Sequence, residues 1–375
     1  MGLCPSREAR QIGSANEGMR RHPPERVPKE FRSVQCPFAE ASKFQGSFGV
    51  TNYSLEGPED GDVLVCFHGL NGSRMLFQDV SRVFSTQAGY RVLTFDLYGH
   101  GLSNAPEVSL CPCRRRCRGR ARYDLDFFVD QTEQLLTHLG IEVPVNLVGF
   151  CLGGTVAVAF AKRFPERVKR LVLLSPSGFL PKIPKAYYLL KALWCVLIPI
   201  APYVVCSCLY RKEKFRKQMK GESEEQIEKL WSRFVWSLFV KRGTQSASLA
   251  VMYRVPWFSA RPLFDEVGRH PRPVLLVWGD RDSLCPVRVA DQVKKCFSNV
   301  HLHVVRNAEH MALVERPREV LKVMDKFLRL SDNADVRRMV SGNMVGDAVQ
   351  VIGETPKHHS LDNVMVEMQA EPLPI

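Results

Sequence analysis

The stretch Leu147-Val148-Gly149-Phe150-Cys151-Leu152-Gly153-Gly154 limits what this chain can fold into more than any other. The apolar run 145–148 reads as a buried strand, and the small, apolar run 155–161 as a buried helix. So sharp a turn from strand to helix forces its central residue into strained backbone angles. Large side chains cannot be carried two positions to either side, and glycine stands there. Cys151 is left above the sheet at a helix N-terminus, where a thiolate is stabilised. The bland alternative is a structural cysteine before a glycine-rich turn. Signals elsewhere in the chain, falling in a consistent order, argue against it.

Further strands are expected at 48–55, 62–67, 91–95, 170–174, 274–278 and 301–305. Helical spacing covers 74–87, 124–139 and 313–327. Apolar strands alternating with helices imply an α/β protein with a mostly parallel, doubly wound sheet covered on both faces. A chain of 375 residues can bury the core this needs. The net charge of +13 directs attention to acidic membrane surfaces or nucleic acid. No RNA- or DNA-binding motif accompanies the charge, so nucleic acid is set aside. Twelve cysteines in a chain of this length do not form a secreted disulfide scaffold, and a reducing compartment is expected.

The motifs HGLNGS (68–73), DLYGHGLS (96–103), GFCLGG (149–154), GDRDSLCP (279–286) and NAEHMALVERP (307–317) resemble the α/β-hydrolase superfamily. The likeness is to its monoacylglycerol-lipase and single-domain esterase branches, over residues 45–330. It implies an α/β-hydrolase fold with an inserted helical cap at 179–262. The elbow nucleophile is Ser in the G-x-S-x-G pattern and Cys151 here. The superfamily's order of nucleophile, acid and histidine implies Cys151, Asp282 and His310. On the residues alone Asp280 is a second candidate acid, and the superfamily's spacing selects Asp282. Some relatives place the acid after the preceding strand, but residues 175–178 hold no carboxylate. By the same resemblance, the backbone N–H groups of Leu70 and Leu152 form the oxyanion hole. His68, His100 and Asp96 read as loop-shaping residues, and His301 and His303 as structural.

Outside the motifs, Met1-Gly2-Leu3-Cys4-Pro5-Ser6 fits the N-myristoylation pattern at Gly2, with Cys4 placed for palmitate. Residues 1–44 are expected to be a flexible arm and 331–375 a disordered tail. A basic loop at 107–122 carries six arginines, including Arg114, Arg115, Arg116 and Arg118. Its three cysteines fall short of the four ligands of a structural zinc site, and no metal is expected. In the cap, residues 192–210 are apolar enough to mimic a membrane span. Pro199 and Pro202 instead suggest broken helices with an apolar face, followed by a basic run at 211–217. An amphipathic cap helix is expected at 222–241.

These signs point to a lipid-anchored hydrolase of lipidic esters or thioesters on the cytoplasmic face of an anionic membrane. No cofactor is called for. Two other classes stay open. GFCLGG also resembles the cysteine box of polyhydroxyalkanoate synthases, which would make the chain an acyltransferase. A catalytically weak member that binds a lipid or partner is the third reading. The sequence carries no indication of oligomeric state.

Overall fold

Every residue of β3 (Val63–Phe67) and β5 (Val145–Phe150) is buried, as a sheet covered on both faces requires. In the computed structural model, which describes residues 31, 34–39, 41–108, 121–180, 224–331 and 334–338, these two strands lie side by side. The eight-stranded sheet runs β1-β2-β4-β3-β5-β6-β7-β8. It is formed with β1 (Ser42–Gly46), β2 (Gly49–Glu56), β4 (Arg91–Phe95), β6 (Val168–Leu174), β7 (Val274–Gly279) and β8 (Val300–Val305). β1 and β2 pair antiparallel, and β4 through β8 form the parallel part.

Side chains alternate between two cores. Val65 and Phe67 pack with Phe128 of α2 (Leu125–His138) and Phe160 of α3 (Leu152–Arg163). Leu64 and Cys66 face Phe84 of α1 (Gln78–Thr86) and Phe327 of α9 (Pro317–Leu328). The chain leaves β3 for β4 on one side and returns to place β5 on the other. Such a reversal opens a crevice at the carboxyl ends of the strands.

The described part of the cap comprises α4 (Glu224–Val235) and α5 (Thr244–Arg254), and α6 (Arg261–Gly268) follows at its end with Phe264 and Val267 in the main core. Two short helices follow in the core, α7 (Ala290–Lys294) and α8 (Ala312–Glu315).

Several expectations shift. The helix expected over 222–241 is α-helical only to Val235; Trp236–Val240 form a π turn, with Lys241 N–H donating to Trp236 O at 2.8 Å. The helix expected over 313–327 is broken into α8 and α9. Pro317 disfavours helical geometry at the residue before it, and Arg316 takes φ −137°, ψ 55°. β1 was not anticipated, and it spans the expected boundary at 44–45. Upstream of β1, Phe31 stacks on Phe239 with centroids 5.1 Å apart, and Phe38 meets Trp236 edge-on at 5.4 Å. Past Leu330, Val336 is fully buried and its N–H donates to Asn299 Oδ1. Gly2, Cys4, residues 192–217 of the cap and Arg114, Arg115, Arg116 and Arg118 lie outside the described residues.

Candidate active site

Cys151 adopts φ 51°, ψ −115° at the join of β5 and α3. That conformation costs a non-glycine residue about 1–3 kcal/mol and persists only where its surroundings dictate it. Here the Cys151 N–H donates to Leu174 O and its carbonyl accepts from Ser177 N–H, each at 3.0 Å. Gly149 and Gly153 permit the turn. A Cβ on Gly149 would press on Gly153 O, and one on Gly153 would fall on the Phe67 carbonyl.

The loops after β7 and β8 bring the other two candidates to the same place. Asp282 is buried, and its Oδ1 accepts from Leu284 N–H at 2.9 Å and Cys285 N–H at 2.7 Å. Its Oδ2 lies 2.7 Å from His310 Nδ1, which therefore carries the proton toward the carboxylate. The alternative acid is occupied elsewhere: Asp280 Oδ1 accepts from Ala308 N–H. Gly279 lets the two loops close, because a Cβ there would meet Glu309 O.

His310 Nε2 is buried and makes no hydrogen bond among the described residues. The nearest influence on it is electrostatic, from Cys151 and Asp282. A hydrogen bond from Cys285, then the His310 charge and the Leu152 N–H, hold the Cys151 thiol well below its usual pKa against the penalty of burial. Burial alone would make His310 less basic, yet the Cys151 thiolate and Asp282 outweigh it and raise the imidazole to about 10. Each group thus favours the charged form of the other. Hydrogen-bonded to that thiolate, Cys285 is pushed far up in pKa.

Leu152 opens α3, so its N–H has no partner within the helix and points at the elbow. The loop bearing Leu70 runs alongside: a Cβ on Gly69 would lie 3.2 Å from Cys151 Cβ. His68 shapes that loop. Its Nε2 accepts from Leu97 N–H at 3.0 Å, so its Nδ1 is the protonated nitrogen and donates to Gly69 O at 2.8 Å. Asp96 accepts from Asn52 Nδ2, Arg74 N–H and Leu102 N–H, which accounts for its loop-shaping role. His303 meets Glu319 at 2.9 Å on the far side of β8.

Three residues of this region escaped the sequence reading. Cys285 stands three positions past Asp282, and only the fold shows that it acts on the Cys151 thiol. Glu315 accepts from the N–H groups of Glu309 at 2.7 Å and Met311 at 3.1 Å, clamping the backbone on both sides of His310. Lys241 is buried and donates to His100 O at 2.7 Å and Ser103 O at 2.5 Å, docking the cap on the loop after β4. Among the described residues no group of three His, Cys, Asp or Glu could hold a metal ion.

A nucleophile elbow at the end of a central parallel strand, facing an Asp–His pair on the next loops, defines the α/β-hydrolase class. Residues 62–317 match the model of the alpha/beta hydrolase fold family, and the chain belongs to that family. It is 27% identical to the protein ABHD8 of Mus musculus over 73% of this chain and 57% of the relative's length. It thus spans little more than half of that relative. Lipase 1 of Psychrobacter immobilis is 22% identical over 70% of this chain and 75% of its own. Among solved structures, a thermophilic esterase from Thermogutta terrifontis superposes with a TM-score of 0.59 at 19% identity, covering 78% of this chain and 98% of that one. A meta-cleavage product hydrolase from Pseudomonas fluorescens gives 0.58 at 20% identity, covering 77% and 97%.

Proposed function

We propose that this protein hydrolyses a lipidic carboxylic ester or thioester through a thioester acyl-enzyme on Cys151. The observation that carries the reading is Cys151 on a strained elbow, with the hydrogen-bonded His310–Asp282 pair acting on it. The thiolate attacks the acyl carbonyl and forms a C–S bond. The charge that develops on oxygen faces the N–H groups of Leu152 and Leu70. Collapse expels an alkoxide or thiolate, which takes its proton from the His310 imidazolium. Water then attacks the acyl-enzyme while His310 accepts its proton, and the carboxylic acid leaves as Cys151 returns to the thiolate. Asp282 holds the imidazole in the tautomer this needs. The names of the relatives, a lipase and an esterase among them, favour the same class. Leu284 beside Asp282 and Met252 on α5 are exposed apolar side chains, which suits a lipidic substrate.

The membrane half of the reading rests on charge and placement. The loop of 109–120 is flanked by Val108 and Ala121, which bridge one another. Tyr123 beyond it donates to Pro106 O and lies near Gly99, in the loop after β4. Both ends of the loop therefore sit beside the loop after β4, at the carboxyl end of the sheet. Arg122 pairs with Asp124 at 2.7 Å; the other five arginines of the loop are the ones we propose to meet anionic headgroups. Each basic residue near such a surface contributes about 1 kcal/mol. Myristate on Gly2 gives marginal attachment, and palmitate on Cys4 makes it stable.

The test is turnover of a panel of lipid esters and thioesters by the wild type and by Cys151→Ala. Activity confined to the wild type supports the reading, and equal turnover by both overturns it. Product analysis with water against an added alcohol or thiol acceptor separates hydrolase from acyltransferase. For the membrane half, Gly2→Ala should release the protein from membranes. Neutralising Arg114, Arg115, Arg116 and Arg118 should weaken binding to anionic vesicles and leave neutral ones nearly unaffected. Full retention of Gly2→Ala on membranes excludes acyl anchoring.

A further inference from the structure

The loop after β3 turns sharply over Gly69–Gly72, where the Gly72 N–H donates to Gly69 O at 3.1 Å. Asn71 stands third in that turn at φ 57°, in the left-handed region that asparagine tolerates better than most side chains. Leu70 is thereby held at the second position. Among the described residues nothing accepts a hydrogen bond from the Leu70 N–H. The core ties the loop down at both ends. His68 Nδ1 donates to Gly69 O before the turn, and the Arg74 N–H donates to Asp96 Oδ1 after it. Between these ends the side-chain tie runs to the cap, where Ser248 of α5 donates to Asn71 Oδ1 at 2.6 Å. The Thr244 carbonyl, one turn back in the same helix, accepts from the same hydroxyl at 2.8 Å and fixes its aim.

The helix that carries Ser248 is itself firmly seated. Ala247 and Ala250 are fully buried, and Ser248 is 8% exposed. A Cβ on Gly99 would fall 2.6 Å from Ala247 Cβ, so α5 lies hard against the loop after β4. Lys241, just before the helix, donates to His100 O and Ser103 O of that same loop. The cap is therefore fixed on one loop of the crevice and reaches across to the other.

We infer that Asn71 and Ser248 are positioning residues for acyl transfer: through them the cap sets the direction of the Leu70 N–H at the oxyanion. The inference rests on the proposed hydrolase reading, in which that N–H receives the developing charge. Each side chain acts through the turn and not on the substrate. A docked cap completes the oxyanion hole, and a lifted one leaves the turn held only at its ends. A donor that must meet an oxyanion at about 2.7–3.1 Å is sensitive to small rotations of the turn that bears it.

The test uses full-length protein as Asn71→Gly, Ser248→Ala and the double variant, beside the wild type and Cys151→Ala. Glycine keeps the left-handed turn and removes only the side chain. Three quantities are measured: kcat and KM on a short-chain thioester, inhibition by a trifluoromethyl ketone of the same chain length, and the iodoacetamide rate of Cys151. The Cys151 sulfur adds to the ketone carbonyl, a C–S bond forms and the charge passes to oxygen, so this inhibitor reports on the hole. Alkylation makes no oxyanion and reports on the thiol alone. Each single variant should lose about five- to tenfold in kcat with KM unchanged, the size of one hydrogen bond, and as much in ketone affinity. The double variant should lose no more than either single one, because all three remove the same contact. Alkylation should keep its wild-type rate throughout. Single variants that match the wild type, losses that multiply in the double variant, or an iodoacetamide rate that falls in step with kcat each overturn the positioning role. In those cases a wild type that outpaces Cys151→Ala leaves the hydrolase reading standing. Equal turnover by wild type and Cys151→Ala removes that reading and the oxyanion role together.

Discussion

The Cys151–His310 pair and the Lys241–His100 group both place ionisable side chains inside the protein at the carboxyl end of the sheet, and burial acts on them with opposite results. At Cys151 a hydrogen bond from Cys285, the His310 charge and the Leu152 N–H outweigh burial and lower the pKa of the thiol. Around Lys241 burial wins. It lowers the amine to about 7, although Asp96 opposes it. His100 is held well below its usual range by burial first, then by His68 and Lys241. The difference lies in what the partners are free to give. Asp96 already accepts from three donors that shape its loop, whereas Lys241 finds only two carbonyls. A buried charge survives when an opposite charge is in contact with it, and otherwise tends to be discharged.

The comparison breaks first at the nucleophile. Removing the thiol with Cys151→Ala should cost about a thousandfold or more in thioester hydrolysis, since the elbow then holds no nucleophile. His310→Ala should cost about 10²–10⁴-fold, and Asp282→Asn somewhat less, because the acid only orients the base. Steady-state rates on one substrate decide this, and near-wild-type turnover by His310→Ala would remove the pair from the mechanism.

Alkylation of Cys151 sharpens the same side. An ordinary thiol gains reactivity with each pH step up to its pKa of about 8.5. Cys151 starts from a lowered pKa, so its iodoacetamide rate should level off at a lower pH than that of an ordinary thiol. Hydrolysis should fall in acid as the thiolate is protonated, and again as pH rises through about 10, where the His310 imidazolium is lost. A Cys151 rate that climbs through pH 8 like a free thiol would contradict the ion pair.

Lys241 tests the other side. Its folded pKa of about 7 lies below the unfolded value, so between those two the unfolded chain binds the extra proton. Stability should therefore rise with pH across that window, by on the order of 2 kcal/mol between pH 7 and 9. Lys241→Met should lack this component of the slope in urea unfolding. Parallel slopes in the two proteins would mean that the amine stays charged.

Glu315 lies between the extremes. Burial raises its pKa, while its bonds to the N–H groups of Glu309 and Met311 oppose the rise. Glu315→Gln keeps an acceptor and loses the charge, so hydrolysis should drop by only about tenfold, near 1 kcal/mol. KM for a short thioester should stay unchanged, since Glu315 positions His310 and does not line the acyl path. An unchanged kcat would show that the His310 loop needs no such clamp.

The sequence by itself determined the elements whose causes are local. The elbow was legible because Gly149, Cys151 and Gly153 follow from one steric requirement, and the central strands because burial on both faces leaves unbroken apolar runs. The Asp282 and His310 positions were legible only through motif order, and Asp280 stayed open on residues alone. Tertiary structure separated the two carboxylates, since Asp280 is spent on Ala308 N–H while Asp282 reaches His310. It also put Glu315 beneath His310 and Lys241 under the loop of His100. Periodicity and propensity act over a few residues. The meeting of Lys241 with His100 joins residues more than a hundred positions apart, and it is decided by strand order and by which loops share the crevice.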